Sequence, residues 1–257
     1  MNVAALVDAL ALPPDARVDQ RVPKKLLLEQ GAPTAADKRQ ITGGIEEMLW
    51  IAALKPTNIG VPEYRDAVRE CLEIAVLTVA LRPAAKPTRL VELIHRAIPY
   101  PVVLVAEHGD TVGLSLAHKR WSQGEAGKTV LDGDVVAVEW NHETHEKHER
   151  EFLAVIALAR QLRSHLQAVY QGWIACIMAL AAARITGAFV VPDTAERAVA
   201  LRDGLDAHGR LNRELAALLA AAERERHLNR RVALNLEIKR LEAELAATSR
   251  SLEGNDR

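Results

Sequence analysis

Three histidines recur at every third position in NHETHEKHERE, residues 141–151: His142, His145 and His148, set among four glutamates. Imidazole and carboxylate groups suit Zn, Ni or Cu, and side chains three apart on a helix can share an ion. A step of three drifts around a helix of about 3.6 residues per turn, so the three imidazoles do not easily converge on one ion. The plainer reading is a solvated helix start whose acids favour the positive end of the dipole, with no bound metal or other cofactor.

A second constellation consists of acids close to apolar runs: Glu47, Glu70, Glu73, Glu107 and Asp110. A restriction-type nuclease places one carboxylate on a strand and an acid-x-Lys on the next, which together hold Mg²⁺ and activate water. Glu73 sits at the first apolar strand and Glu107 at the second. Two positions beyond Glu107 stands Gly109 rather than lysine, so the signature is broken. Glu73, Glu107 and Asp110 remain the catalytic candidates of this class. His95-Arg96 with Tyr100, before the second strand, reads as a satisfied core or surface group rather than a general base.

Basic residues form two candidate anion contacts. Lys24-Lys25 lies in RVPKKLLLE and reads as a solvated edge or a phosphate contact. Arg230-Arg231, with His227 and Asn229, is the best local candidate for nucleic acid. Interleaved glutamates nearly cancel the basic charge of that segment, so a salt-bridged solvated face is the simpler reading. Gly-x-Ser-x-Gly, P-loop and GxGxxG patterns are absent, and the glycines of residues 124–133 read as a hairpin loop.

The elements that position these residues follow from periodicity. Residues 2–12 read as a short helix stopped by Pro13-Pro14, followed by a polar linker to residue 20. Thr34 or Asp37 caps a helix expected to run to about residue 54, with Ile41, Ile45, Met48, Leu49 and Ala52 on one face. Residues 72–81, LEIAVLTVAL, are apolar and β-branched, as in a strand buried on both faces. Residues 87–97 give a helix and 101–106 a second buried strand, implying a parallel pair with a right-handed crossover. Gly109-Asp110 marks a turn into an alternating strand over 111–118, and residues 132–140 form another strand.

After residue 141 the chain reads as helix. One long central helix is expected over 142–192. A C-terminal arm follows over 193–257, whose final helix runs from residue 211 to about 248. Leu211, Leu215, Leu218 and Ala222 keep a 4-3-4 spacing, as do Leu234, Ile238, Leu241 and Leu245. The two seams do not share a register across ERERHLNRR. Such a helix needs another helix or another chain.

Composition narrows the classes. The 257 residues carry 33 Lys+Arg and 34 Asp+Glu for a net charge of −1, which does not favour a dominant nucleic-acid footprint. Cys71 and Cys176 sit in apolar runs, as buried thiols of a reducing cytosol do. No basic segment precedes the apolar N-terminus, which Asp8 interrupts, so a signal peptide is not expected. The apolar run of residues 172–183 falls short of the roughly 20 residues that span a bilayer, so no membrane association is expected. The expected location is the cytoplasm.

Five segments together resemble a bacterial family, the domain of unknown function 4391. They are VPKKLLLEQ at residues 22–30, IEEMLWIAALKPTNIGV at 45–61, LVELIHRAIPYPVVLV at 90–105, LRSHLQAVYQGWIACIMALAAARITGAF at 162–189 and HLNRRVALNLEIKRLEAEL at 227–245. The resemblance implies an α/β N-terminal region and a helical, coiled-coil-prone C-terminal region. It brings no established activity, and it implies a setting beside helicase, methyltransferase or restriction-type genes.

The fold class expected is mixed α/β (α+β). Residues 1–20 form a helix and linker, residues 21–141 a small mixed-sheet domain, and the long-helix, coiled-coil-like region follows. The function expected is a non-enzymatic accessory or assembly subunit, a homo-oligomer or a complex through residues 211–245. A helicase or methyltransferase is the partner class implied. The alternatives are a divergent metal-dependent nuclease and a nucleic-acid-binding adaptor.

Overall fold

The computed structural model of the chain describes residues 1–125, 127–141 and 147–254. Helix α1, Val3–Ala9, is capped by Asn2, whose side chain accepts a hydrogen bond from the Ala5 amide. A 3-10 turn leads to β1, Arg17–Arg21, then α2, Lys24–Gln30, α3, Ala35–Gly44, β2, Ile45–Leu54, and the single turn α4, Pro56–Ile59. A small ladder of β3, Tyr64–Arg65, and β4, Glu70–Cys71, precedes β5, Ile74–Leu81. The chain continues through α5, Pro87–Ala97, β6, Val102–His108, and β7, Thr111–Leu116. A second small ladder joins β8, Lys119–Trp121, to β9, Thr129–Leu131, before β10, Val136–Asn141. The helical part comprises α6, Glu149–Val155, α7, Leu166–Thr186, α8, Ala195–Arg224, and α9, Leu228–Gly254.

Six strands form one mixed sheet in the order β1-β2-β5-β6-β7-β10. The β5–β6 pair is parallel, with Ala80 opposite Glu107, and the other pairs are antiparallel. The central strands are apolar on both faces because both faces are covered. On one, Ala75, Leu77, Val79 and Leu104 join Leu27 of α2, Ile41 of α3 and Leu90, Leu93 and Ile94 of α5 in a single core. On the other, the fully buried Tyr170 of α7 reaches the sheet with its hydroxyl. That oxygen accepts from the Ala117 amide at 2.9 Å and donates to the Val102 carbonyl at 2.9 Å. Each fully buried Leu or Ile side chain of this kind contributes about 1.5–3 kcal/mol.

Four expectations are corrected. Residues 45–54 are strand β2, paired on both sides, rather than the end of a helix. The helix stops at Gly43-Gly44, where Leu90 packs closely: a Cβ at Gly44 would lie 2.7 Å from Leu90 Cδ1, so that side chain would have to shift to admit one. The polar linker likewise contains edge strand β1, whose register is irregular between Arg17 and Gln20, where Asp19 has a φ of 47°.

The single central helix over 142–192 is replaced, among the described residues, by α6, a 3-10 turn at Leu158–Arg160 and the 21-residue α7. Gln161 makes the corner, its side-chain amide donating to the carbonyls of Val155 at 2.7 Å and Ala157 at 3.2 Å. The final helix is likewise two. Helix α8 runs through Gly209, ends at Arg224, and is followed by a return through α9. Helix α7 is long and apolar enough to cross a membrane by length and composition, and 83% of its most apolar window is buried, as in a core helix.

The chain divides into two compact units, Met1–Ile177 and Met178–Arg257, and the division falls within α7.

Candidate functional site

The acidic candidates do not converge. Glu73 stands at the entry to β5, with Oε2 3.1 Å from Lys55 Nζ. Glu107 lies near the exit of β6, level with Ala80 of β5. The strands are parallel, so the seven residue steps from Glu73 to Ala80, at about 3.3 Å each, separate the two carboxylates by about 23 Å along the strand direction. Asp110, in the β6–β7 turn, shares only the Glu107 end. Glu47 pairs with Arg21 at 3.5 Å and Glu70 with Arg65 at 3.2 Å. Among the described residues, no group of three His, Cys, Asp or Glu side chains is placed to hold a metal ion.

His142 and His145 lie outside the described residues. His148 is buried at the start of α6, and its Nδ1 lies 2.5 Å from Glu151 Oε2. This differs from a solvated helix start. His148 and Phe152, 5.4 Å from the Trp140 ring, are buried, while Lys147, Arg150 and Glu151 beside them are exposed. The two cysteines are free and buried, as expected.

The basic candidates divide. Lys24 points inward, donating to the Thr42 carbonyl at 3.3 Å and also to the Ile45 carbonyl, which ties α2 to the α3–β2 junction. Burial, aided by Arg82 and Arg21, holds its pKa below the usual lysine value. Lys25 is exposed and 3.6 Å from Glu29. Arg230 and Arg231 are exposed on the first turns of α9.

Helices α8 and α9 fold against each other as an antiparallel pair joined by Glu225, Arg226 and His227. Thr194 caps α8 by accepting from the Arg197 amide at 3.2 Å, and Glu225 Oε1 accepts from the His227 amide at 2.8 Å within the turn. Leu211 and Ala222 of α8 are buried, as are Ile238, Leu241 and Leu252 of α9. The two heptad seams of the sequence therefore face inward within the hairpin. A second apolar stripe stays outside: Leu228 is 65% exposed, Val232 50% and Leu236 65%. Spaced i, i+4, i+8, they share the face of α9 opposite the buried seam. Leu219 of α8 is also exposed.

In the first unit a polar cluster is buried between α5 and the β7–β8 segment. His95 Nε2 lies 3.0 Å from Ser115 Oγ, and His95 Nδ1, also buried, has no hydrogen-bond partner among the described residues. Lys119 is 7% exposed and donates to the Ile98 carbonyl. Burial, with the Lys119 charge nearby, pushes the His95 pKa down to about 3, and burial pushes Lys119 down to about 7. The imidazole is thus neutral across the physiological range. Among the described residues no carboxylate orients it, so the pair is not a hydrolytic triad.

His95 and Lys119 line a cavity of about 420 Å³ with Glu29, Arg96, Lys128 and Thr129 among its walls. The sequence points to His95 without its partners. Ser115, Ala117 and Lys119 alternate with Leu114 and Leu116, so they read as an outward face. The cover that α5 places over that face is a tertiary fact.

A family model described as a domain of unknown function (DUF4391) matches residues 10–245. No curated protein and no solved structure matches the chain.

Proposed function

We propose that this chain, which belongs to the family described as a domain of unknown function (DUF4391), is a non-enzymatic accessory or assembly subunit that associates through its C-terminal hairpin. One observation carries the reading: the exposed Leu228, Val232 and Leu236 stripe on α9. A two-helix hairpin buries one seam. A second apolar stripe at helical spacing is costly in water and is covered when another pair of helices packs on it. Two hairpins meeting about a two-fold axis would form a four-helix bundle, burying the same stripe from each copy. A second copy of this chain is therefore the first occupant proposed.

The larger assembly, a helicase or methyltransferase of a bacterial defence or restriction-type system acting in the cytoplasm, rests on the family resemblance alone. Purification of the tagged chain from its native host, with mass spectrometry of co-eluting proteins, tests it. Untagged copies and a stoichiometric nucleic-acid enzyme are expected, both lost when Val232 and Leu236 become glutamate. An eluate holding only the tagged chain refutes the proposal.

A nucleic-acid adaptor is the second reading. It is favoured by Arg226, Arg230 and Arg231, which are exposed about the α8–α9 turn and, among the described residues, have no carboxylate within ion-pair distance. Binding that weakens steeply with salt, and that Arg230→Ala with Arg231→Ala abolishes, would support it.

A further inference from the structure

The cavity between α2, α5 and the β8–β9 ladder contains a buried cation without a counter-charge. Every other cation on its wall has a carboxylate. Arg96 Nη2 is 2.7 Å from Glu92 Oε1, and Lys128 Nζ is 2.9 Å from Glu125 Oε2. Glu29, the acid on the wall, is 3.6 Å from Lys25. Lys119, the most buried of these cations, has the Ile98 carbonyl as its acceptor and, among the described residues, no carboxylate within ion-pair distance. An ammonium has three protons to donate, and leaving one buried with a single neutral acceptor costs several kcal/mol.

Two further observations turn this deficit into a site. His95, also on the wall, has its buried Nδ1 unpartnered. The cavity, at about 420 Å³, falls in the size range of small-molecule pockets.

We propose that this cavity binds a small oxyanion, a carboxylate- or phosphate-bearing metabolite, whose negative group sits against Lys119. An anion bound there restores the charged form, so the site takes up a proton as it fills when the solution lies above about pH 7. The proposal is independent of the association surface on α9.

The test is thermal unfolding and calorimetry of the full chain at pH 8, with inorganic phosphate and with succinate, against chloride at equal ionic strength. At least one anion should raise Tm by several degrees and bind with proton uptake, seen as an enthalpy that changes with the buffer's ionisation enthalpy. Phosphate and succinate arms distinguish the two sources. Lys119→Met should melt at or above the wild type in chloride and lose both the Tm rise and the proton uptake. No Tm rise with either anion overturns the proposal, as does an equal rise in Lys119→Met. Should that variant fail to fold, wild-type binding without proton uptake overturns it in the same way.

Discussion

Gly204 of α8 and Leu252 of α9 meet at the open end of the C-terminal hairpin: a Cβ added at Gly204 would lie 2.6 Å from Leu252 Cδ2. The hairpin is thus closed along its length, from the turn at Glu225–His227 to this contact. Its heptad leucines stabilise the chain's own fold, and the exposed Leu228, Val232 and Leu236 lie on the opposite face of α9.

The two faces should respond differently to charge. Leu241 is 2% exposed, so Leu241→Glu places an unpaired carboxylate in the seam and should cost at least about 3 kcal/mol. Val232→Glu, at a half-exposed position, should change the stability of the free chain by no more than about 0.5 kcal/mol. Urea melts followed by far-UV circular dichroism check this, at concentrations low enough that association does not contribute. Equal losses at the two positions would mean that the seam is misassigned.

Asp37 and Arg89 make an acid-sensitive link between α3 and α5. Arg89 Nε donates to Asp37 Oδ1 at 2.8 Å and Nη2 to Oδ2 at 3.0 Å, while the Thr34 hydroxyl donates to Oδ2 at 2.7 Å. The Arg89 bonds first, and Thr34 second, hold the Asp37 pKa down to about 2 from 3.8. The folded state therefore releases this proton more readily than the unfolded chain. The stabilisation is present above the unfolded value of 3.8 and is lost as pH falls through about 2. Asp37→Asn should lower Tm at pH 7 and flatten the Tm decline across that window. A decline of unchanged steepness would contradict the assignment.

The isolated protein should not cleave single- or double-stranded DNA with Mg²⁺ or Mn²⁺, because Glu73 and Glu107 stand at opposite ends of the β5–β6 pair. A gel assay decides it. Cleavage abolished by both Glu73→Gln and Glu107→Gln would restore the nuclease alternative.

The β5–α5–β6 unit was legible because each of its parts admits one period. LEIAVLTVAL and PVVLVA are apolar and β-branched throughout, and the helix between them starts at Pro87. Strand β2 was not legible. Ile41, Ile45, Met48, Leu49 and Ala52 satisfy a helical stripe, and the pairing of residues 45–54 with β1 and β5 is a tertiary fact. The α8–α9 turn was hidden for another reason. It contains neither Gly nor Pro, so the register break between Ala222 and Leu234 was its one trace. The cavity was the least legible feature. His95 stood out in the sequence, while Ser115 and Lys119 became its neighbours only through the cover of α5 on β7.

Sedimentation velocity on the purified chain at tens of micromolar, beside Val232→Glu/Leu236→Glu, tests the association surface most directly. The wild type should sediment as a dimer or larger assembly, and the double variant as a folded monomer with the same far-UV spectrum. A monomeric wild type, or an assembly that survives both substitutions, would contradict self-association through α9.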